Sequence, residues 1–82
     1  MEQKPTARQV IRAAIAAAGG SPKISEALGI GEGTVSAWTA RGSVPARWVQ
    51  PLCELGGHVV KAEQLLEAMA REGRAARERA AA

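Results

Sequence analysis

One cysteine, one histidine and eight carboxylates are the groups of the 82-residue chain best suited to covalent, acid–base or metal chemistry. Cys53 and His58 are the only conceivable nucleophile and base. Cys53 falls on the apolar side of a helical stretch and no carboxylate is spaced to orient the imidazole, so buried packing accounts for the thiol better. One His and one Cys lack further ligands at metal-binding spacings. The glycines of GIGEG, residues 29–33, follow a helical pattern rather than a strand, which excludes a phosphate-binding loop. The expectation is a non-enzyme with no cofactor and no metal. What remains is hydrogen bonding and charge, and most of the hydroxyl side chains gather in residues 21–41, SPKISEALGIGEGTVSAWTAR, where Ser21, Thr34, Ser36 and Thr39 stand with Lys23 and Arg41.

The elements that hold these side chains follow from local chemistry. Ser21 before Pro22 reads as a helix start, a capping hydroxyl followed by a proline that has no bond to lose. Ile24, Ala27 and Leu28 form a short apolar stripe. Gly29 ends the helix in the left-handed conformation, and Ile30 folds back onto the turn. A second helix opens near Gly31 or Glu32 and sends Val35 and Trp38 inward. Glu32, Gly33, Ser36, Ala37 and Ala40 then face out, a small and polar surface.

These positions resemble the helix-turn-helix of the phage repressor and Cro superfamily: a small residue at Ser25, the turn glycine at Gly29, and apolar anchors at Leu28, Ile30, Val35 and Trp38. The sequel, GSVPARWVQPLCELGGHVVKAEQL, is similar to small Cro-like regulators of the YdaS type, in which a Val-Pro opens the next helix and a Gly-Gly leads to a last helical element. The resemblance spans residues 9–66. It implies double-stranded DNA as the partner, with the second helix of the pair entering the major groove. On that mapping Glu32, Gly33, Ser36 and Ala37 face base edges, Glu32 accepting from a cytosine amino group and Ser36 donating or accepting. Helix-dipole stabilisation explains Glu32 equally well. Phosphate contacts fall to Ser21, Lys23, Thr34, Thr39, Arg41 and Arg47. Relatives of this type end in an Arg-Pro-Asp element where this chain has LLEAMAREG.

Composition is compatible with that partner. A formal charge of +3 and a pI near 9.8 suit a phosphate backbone. Phenylalanine and tyrosine are absent, which argues against platforms that stack single-stranded bases. Eighteen alanines leave few large apolar side chains. A domain this small buries only roughly 60% of its unfolded surface, so help from a second subunit is reasonable. The lone cysteine fits a reducing cytoplasm, nucleoid-associated if DNA is the partner. The charged N-terminus and an apolar run of mostly alanine over residues 13–18 give no signal peptide and no membrane partner.

The remaining chain reads as further helices. Ala7, Val10, Ile11, Ala14, Ile15 and Ala18 keep helical spacing after Pro5 and Thr6, with Gly19 and Gly20 as the stop and Arg8 and Arg12 as solvated charges. Gly42 ends the third helix and Pro45 can begin the fourth, with Trp48, Leu52 and Leu55 on one side. Pro51 either opens that helix anew or kinks it, since it removes the bond to the Arg47 carbonyl. His58, Val59 and Val60 are read as extended and able to pair across a dimer. A fifth helix from Ala62 carries Leu65, Leu66 and Met69 as a dimer face and a Glu67–Arg71 ion pair. Gly73 breaks the pattern, and RAARERAAA after it reads either as a fraying, alanine-rich helix or as disordered chain.

The expected fold is all-α, a compact bundle of about five short helices with the helix-turn-helix in helices 2 and 3, a domain over residues 1–72 and an Arg/Ala-rich tail over 73–82. The expected function is a repressor of phage, plasmid or chromosomal origin that binds a palindromic operator as a homodimer. The rivals are an antitoxin or other protein-interaction module using the LLEAM helix, and a nonspecific architectural DNA binder. Truncation after Val60 is the change expected to separate the first rival from a repressor.

Overall fold

The computed structural model describes the backbone of residues 5–81 and the side chains of residues 5–74. Five helices follow in order: α1 (Ala7–Ala17), α2 (Ser21–Leu28), α3 (Glu32–Arg41), α4 (Ala46–Leu55) and α5 (Ala62–Ala81), with no strand among the described residues. Each start and stop has a local cause. The Thr6 hydroxyl accepts from the Gln9 amide at 3.2 Å while the Gln9 side chain accepts from the Thr6 amide at 2.8 Å, a reciprocal capping box that opens α1. Gly19 and Gly20, at φ of 101° and 98°, turn the chain sharply into α2.

The helices fold into one compact globule. α1 lies against α3, α4 and α5, while α2 rests on α3 and α4, and α4 on α5. Trp38, Ile11, Ile24, Leu52, Leu65 and Val35 are the largest fully buried side chains. The α1 stripe is buried as its spacing demands, Ile15 being half-buried. At the end of α4, Gly56 sits so close to α1 that a side-chain carbon there would lie 3.0 Å from Ala17 Cβ. Gly56 has an ordinary negative φ of −86°, so the need for glycine is steric. Gly56→Ala is expected to push α1 and α4 apart and cost about 1–3 kcal/mol, read by urea denaturation.

Several sequence expectations are corrected. Ser21 is the first residue of α2 rather than its cap, Gly20 takes the cap position, and no side chain caps this helix. Ala27 is exposed, because α2 turns its Ile24, Ser25 and Leu28 side toward the protein. Pro51 lies inside one continuous α4 and Pro45 is its N-cap, so the reading of Pro51 as a fresh helix start does not hold. Proline has no amide to donate to the Arg47 carbonyl, so the helix forgoes that bond.

The segment after α4 is not extended. Gly57 and His58 are both left-handed, at φ of 64° and 60°, and the His58 amide returns to the Cys53 carbonyl at 2.9 Å. Two successive left-handed residues turn the chain instead of offering an edge for pairing. α5 continues through Gly73 to Ala81, the helical one of the two readings of that segment.

α5 is integral to the core. Leu65 and Ala68 are buried, Arg71 donates to the Pro5 carbonyl at 2.6 Å, and Arg71 and Glu67 form the expected i, i+4 pair at 3.7 Å. Removing the chain after Val60 would therefore strip core side chains, and that truncation cannot separate a partner-binding role from simple unfolding. No helix among the described residues is long and apolar enough to cross a membrane.

Candidate nucleic-acid interface

The pair α2 and α3 is joined by only three residues, Gly29, Ile30 and Gly31. Gly29 is left-handed at φ 67°, and the amides of Gly29 and Ile30 both donate to the Ser25 carbonyl, at 2.9 and 3.2 Å. The Ser25 hydroxyl in turn donates to the Ile30 carbonyl. Ser25 thus satisfies both backbone polar groups of Ile30, which fixes the path from one helix to the next. The sequence marks Ser25 only as small; its bonding role is a finding of the fold. Ile30 and Leu28 are half-buried against the core beneath this turn.

α3 is attached by two side chains, Val35 and Trp38, both with no exposed area. Residues on the opposite side of the helix follow from the 100° step between neighbours, and Gly33 and Ala40 lie at its centre with Ser36 and Ala37 beside them. Glu32, Gly33, Ser36 and Ala40 are exposed and Ala37 is half-buried. A side-chain carbon built on Gly33 would meet nothing within 4 Å. Thr34, exposed, and Thr39, half-buried, occupy the two flanks of the helix. At its end Gly42, at φ 71°, and Ser43 close a Schellman motif, the Ser43 amide donating to the Trp38 carbonyl at 3.1 Å.

The basic side chains surround this helix on different elements. Lys23 is exposed on the first turn of α2, with its stem laid across Gly19. Arg41 is exposed on the last turn of α3. Arg47, on the first turn of α4, rests its guanidinium over the Trp48 ring, 5.9 Å from the centroid. That contact keeps the charge at the surface while ordering its stem. Ser21 is half-buried at the start of α2. Glu26 and Glu32 are also exposed on α2 and α3, so the surface is mixed in sign rather than uniformly basic.

Other expected sites divide. Of Leu65, Leu66 and Met69, Leu65 has no exposed area and Met69 is half-buried, its sulfur accepting from the Val44 amide at 3.1 Å. Leu66, 47% exposed, is the member of the trio that presents an apolar surface. Trp48 is half-buried against the core. Cys53 is buried, and desolvation raises its thiol pKa, so it is held as the thiol rather than as a reactive thiolate. The His58 side chain is exposed on the turn beyond it. Arg8 is exposed, as expected of a solvated charge, and its guanidinium also donates to the Ala40 carbonyl at 3.0 Å. A contact spanning 32 residues leaves no periodic signal in the sequence.

No family model, no curated protein and no solved structure matches the chain.

Proposed function

We propose that the protein is a sequence-specific DNA-binding repressor whose α3 enters the major groove and whose homodimer occupies a palindromic operator. The observation that carries this reading is the outward face of α3. The helix has a glycine at its second position, Gly33, with open space around it and no packing demand for it. Helical glycine is unfavourable relative to alanine, so its use on an exposed face is best explained by a partner that approaches closely. The neighbouring Ser36 and Ala37 suit hydrogen bonding to base edges and contact with a thymine methyl group, and Glu32 suits a cytosine amino group. A face this bare makes modest direct readout, supplemented by water and duplex shape.

Phosphate contacts are assigned to Lys23, Arg41 and Arg47, with Ser21, Thr34 and Thr39 as the neutral donors. One short reading helix gives limited specificity, and two half-sites about 34 Å apart double it. The dimer contact is assigned to the Leu66 side of α5, because Leu65 and Met69 are occupied within the protomer.

The test is binding to duplex DNA across a salt series. Lys23→Ala and Arg41→Ala are each expected to weaken binding to every duplex and to reduce the slope of log K against log salt by about one unit. An unchanged slope in both variants would place the docking surface elsewhere. Salt-sensitive binding with no preference among duplexes would favour the architectural rival instead.

A further inference from the structure

We propose that Arg8 is a positioning residue for α3, an inference that rests on the DNA-binding reading above. Arg8 stands on the first turn of α1, yet its Nη2 donates to the carbonyl of Ala40 on the last turn of α3. That carbonyl is among the last four of the helix, which have no partner within it. A cation at this end also meets the negative pole of the helix dipole.

The surroundings show that the contact is built into the packing. A side-chain carbon placed on Gly42, the left-handed residue ending α3, would lie 3.4 Å from Arg8 Cγ, 3.7 Å from Arg8 Nε and 3.9 Å from Glu72 Oε2. The Arg8 stem therefore runs over the space that glycine leaves open, with the α5 carboxylate on the same spot. The next residue but one, Val44, donates its amide to Met69 on α5. α1 thus grips the end of α3 from its exposed side through Arg8, α5 holds the buried connector that follows, and Val35 and Trp38 anchor the helix from within. The inner pair fixes depth, and the outer clamp fixes the angle at which the outward face is presented. Arg8 acts through Ala40 and touches no base or phosphate in this scheme.

Two variants separate this role from a phosphate contact. Arg8→Met keeps most of the stem and loses the donor, whereas Arg8→Lys keeps the charge and loses the planar fork. Both are expected to bind a preferred duplex about fivefold more weakly, a size typical of losing one ordinary hydrogen bond at an exposed position. The salt slope is expected to stay at the wild-type value. Amide exchange at Gly42 and Ser43 is expected to quicken in both variants without DNA, while helix content is retained.

A slope lower by about one unit in Arg8→Met would make Arg8 a phosphate ligand and overturn the proposal. Unchanged amide exchange would overturn the clamp itself. Faster exchange with unchanged affinity would show a clamp that does not govern binding, which also overturns the positioning role. If the wild-type protein binds no duplex, the DNA reading fails and the positioning role falls with it, and the exchange data still report separately whether the clamp exists.

Discussion

Trp38→Ala is expected to cost about 3–5 kcal/mol, a large share of the stability of a domain this size. Trp38 is the largest fully buried side chain and, with Val35, one of only two buried anchors of α3. Truncation would leave a cavity beneath the helix, and the surrounding short helices would have to collapse to fill it. Trp38→Phe is expected to behave very differently. The indole Nε1 is buried with no hydrogen-bond partner among the described residues, and an unmet donor carries a penalty of about 1–3 kcal/mol. Phenylalanine loses some volume but removes that donor, so the two effects oppose one another and a small net change results. Urea denaturation followed by far-ultraviolet circular dichroism checks both variants, since tryptophan fluorescence changes with the substitution. A Phe variant as unstable as the Ala variant would mean that the indole nitrogen has a stabilising partner.

Gly33→Glu is expected to abolish duplex binding while leaving the fold intact. The position is exposed with open space around it, and a carboxylate in the first turn favours the helix dipole. Nothing within the protein resists the change. In the groove the same carboxylate faces two rows of phosphates, and like-charge juxtaposition costs several kcal/mol, a loss of about 100-fold or more. Gly33→Ala is the control, and it is expected to raise stability by up to about 1 kcal/mol with a far smaller effect on binding. Thermal denaturation paired with a duplex-binding isotherm reads both quantities. Wild-type affinity in the Glu variant would remove the outward face of α3 from the contact.

Much of this architecture is visible from residue types. The spacing of Val10, Ile11 and Ala14 and the glycines after each of the first three helices place α1, α2 and α3 closely, because burial stripes and left-handed stops are local. Local rules also overreach. A Ser-Pro pair looks like a cap, but Gly20 at φ 98° already makes the turn and leaves Ser21 inside the helix. The three residues after Gly57 look extended by composition, but the left-handed His58 bends them. Pro51 is tolerated because the rest of α4 buries Val49, Leu52 and Cys53.

The side chains on the surface of α3 are also legible, since a helical step separates Gly33 and Ser36 from Val35 and Trp38 without any tertiary information. The long-range fixings are not. Arg8 on Ala40, Met69 on Val44 and Arg71 on Pro5 each join segments far apart in sequence, at separations of 32, 25 and 66 residues. Nothing in the local pattern of either partner announces such a bond. Leu65 and Leu66 show the same limit at closer range, adjacent leucines of which the first is fully buried and the second nearly half exposed.

The central claim is that α3 reads a duplex sequence. In-vitro selection of a random duplex library by the purified protein at near-physiological salt, followed by sequencing of the retained fraction, tests it most directly. The expected result is an enriched inverted repeat with half-sites roughly 10 base pairs apart, lost with Gly33→Glu and kept, at lower affinity, with Lys23→Ala. Retention without enrichment, or no retention at all, would contradict it.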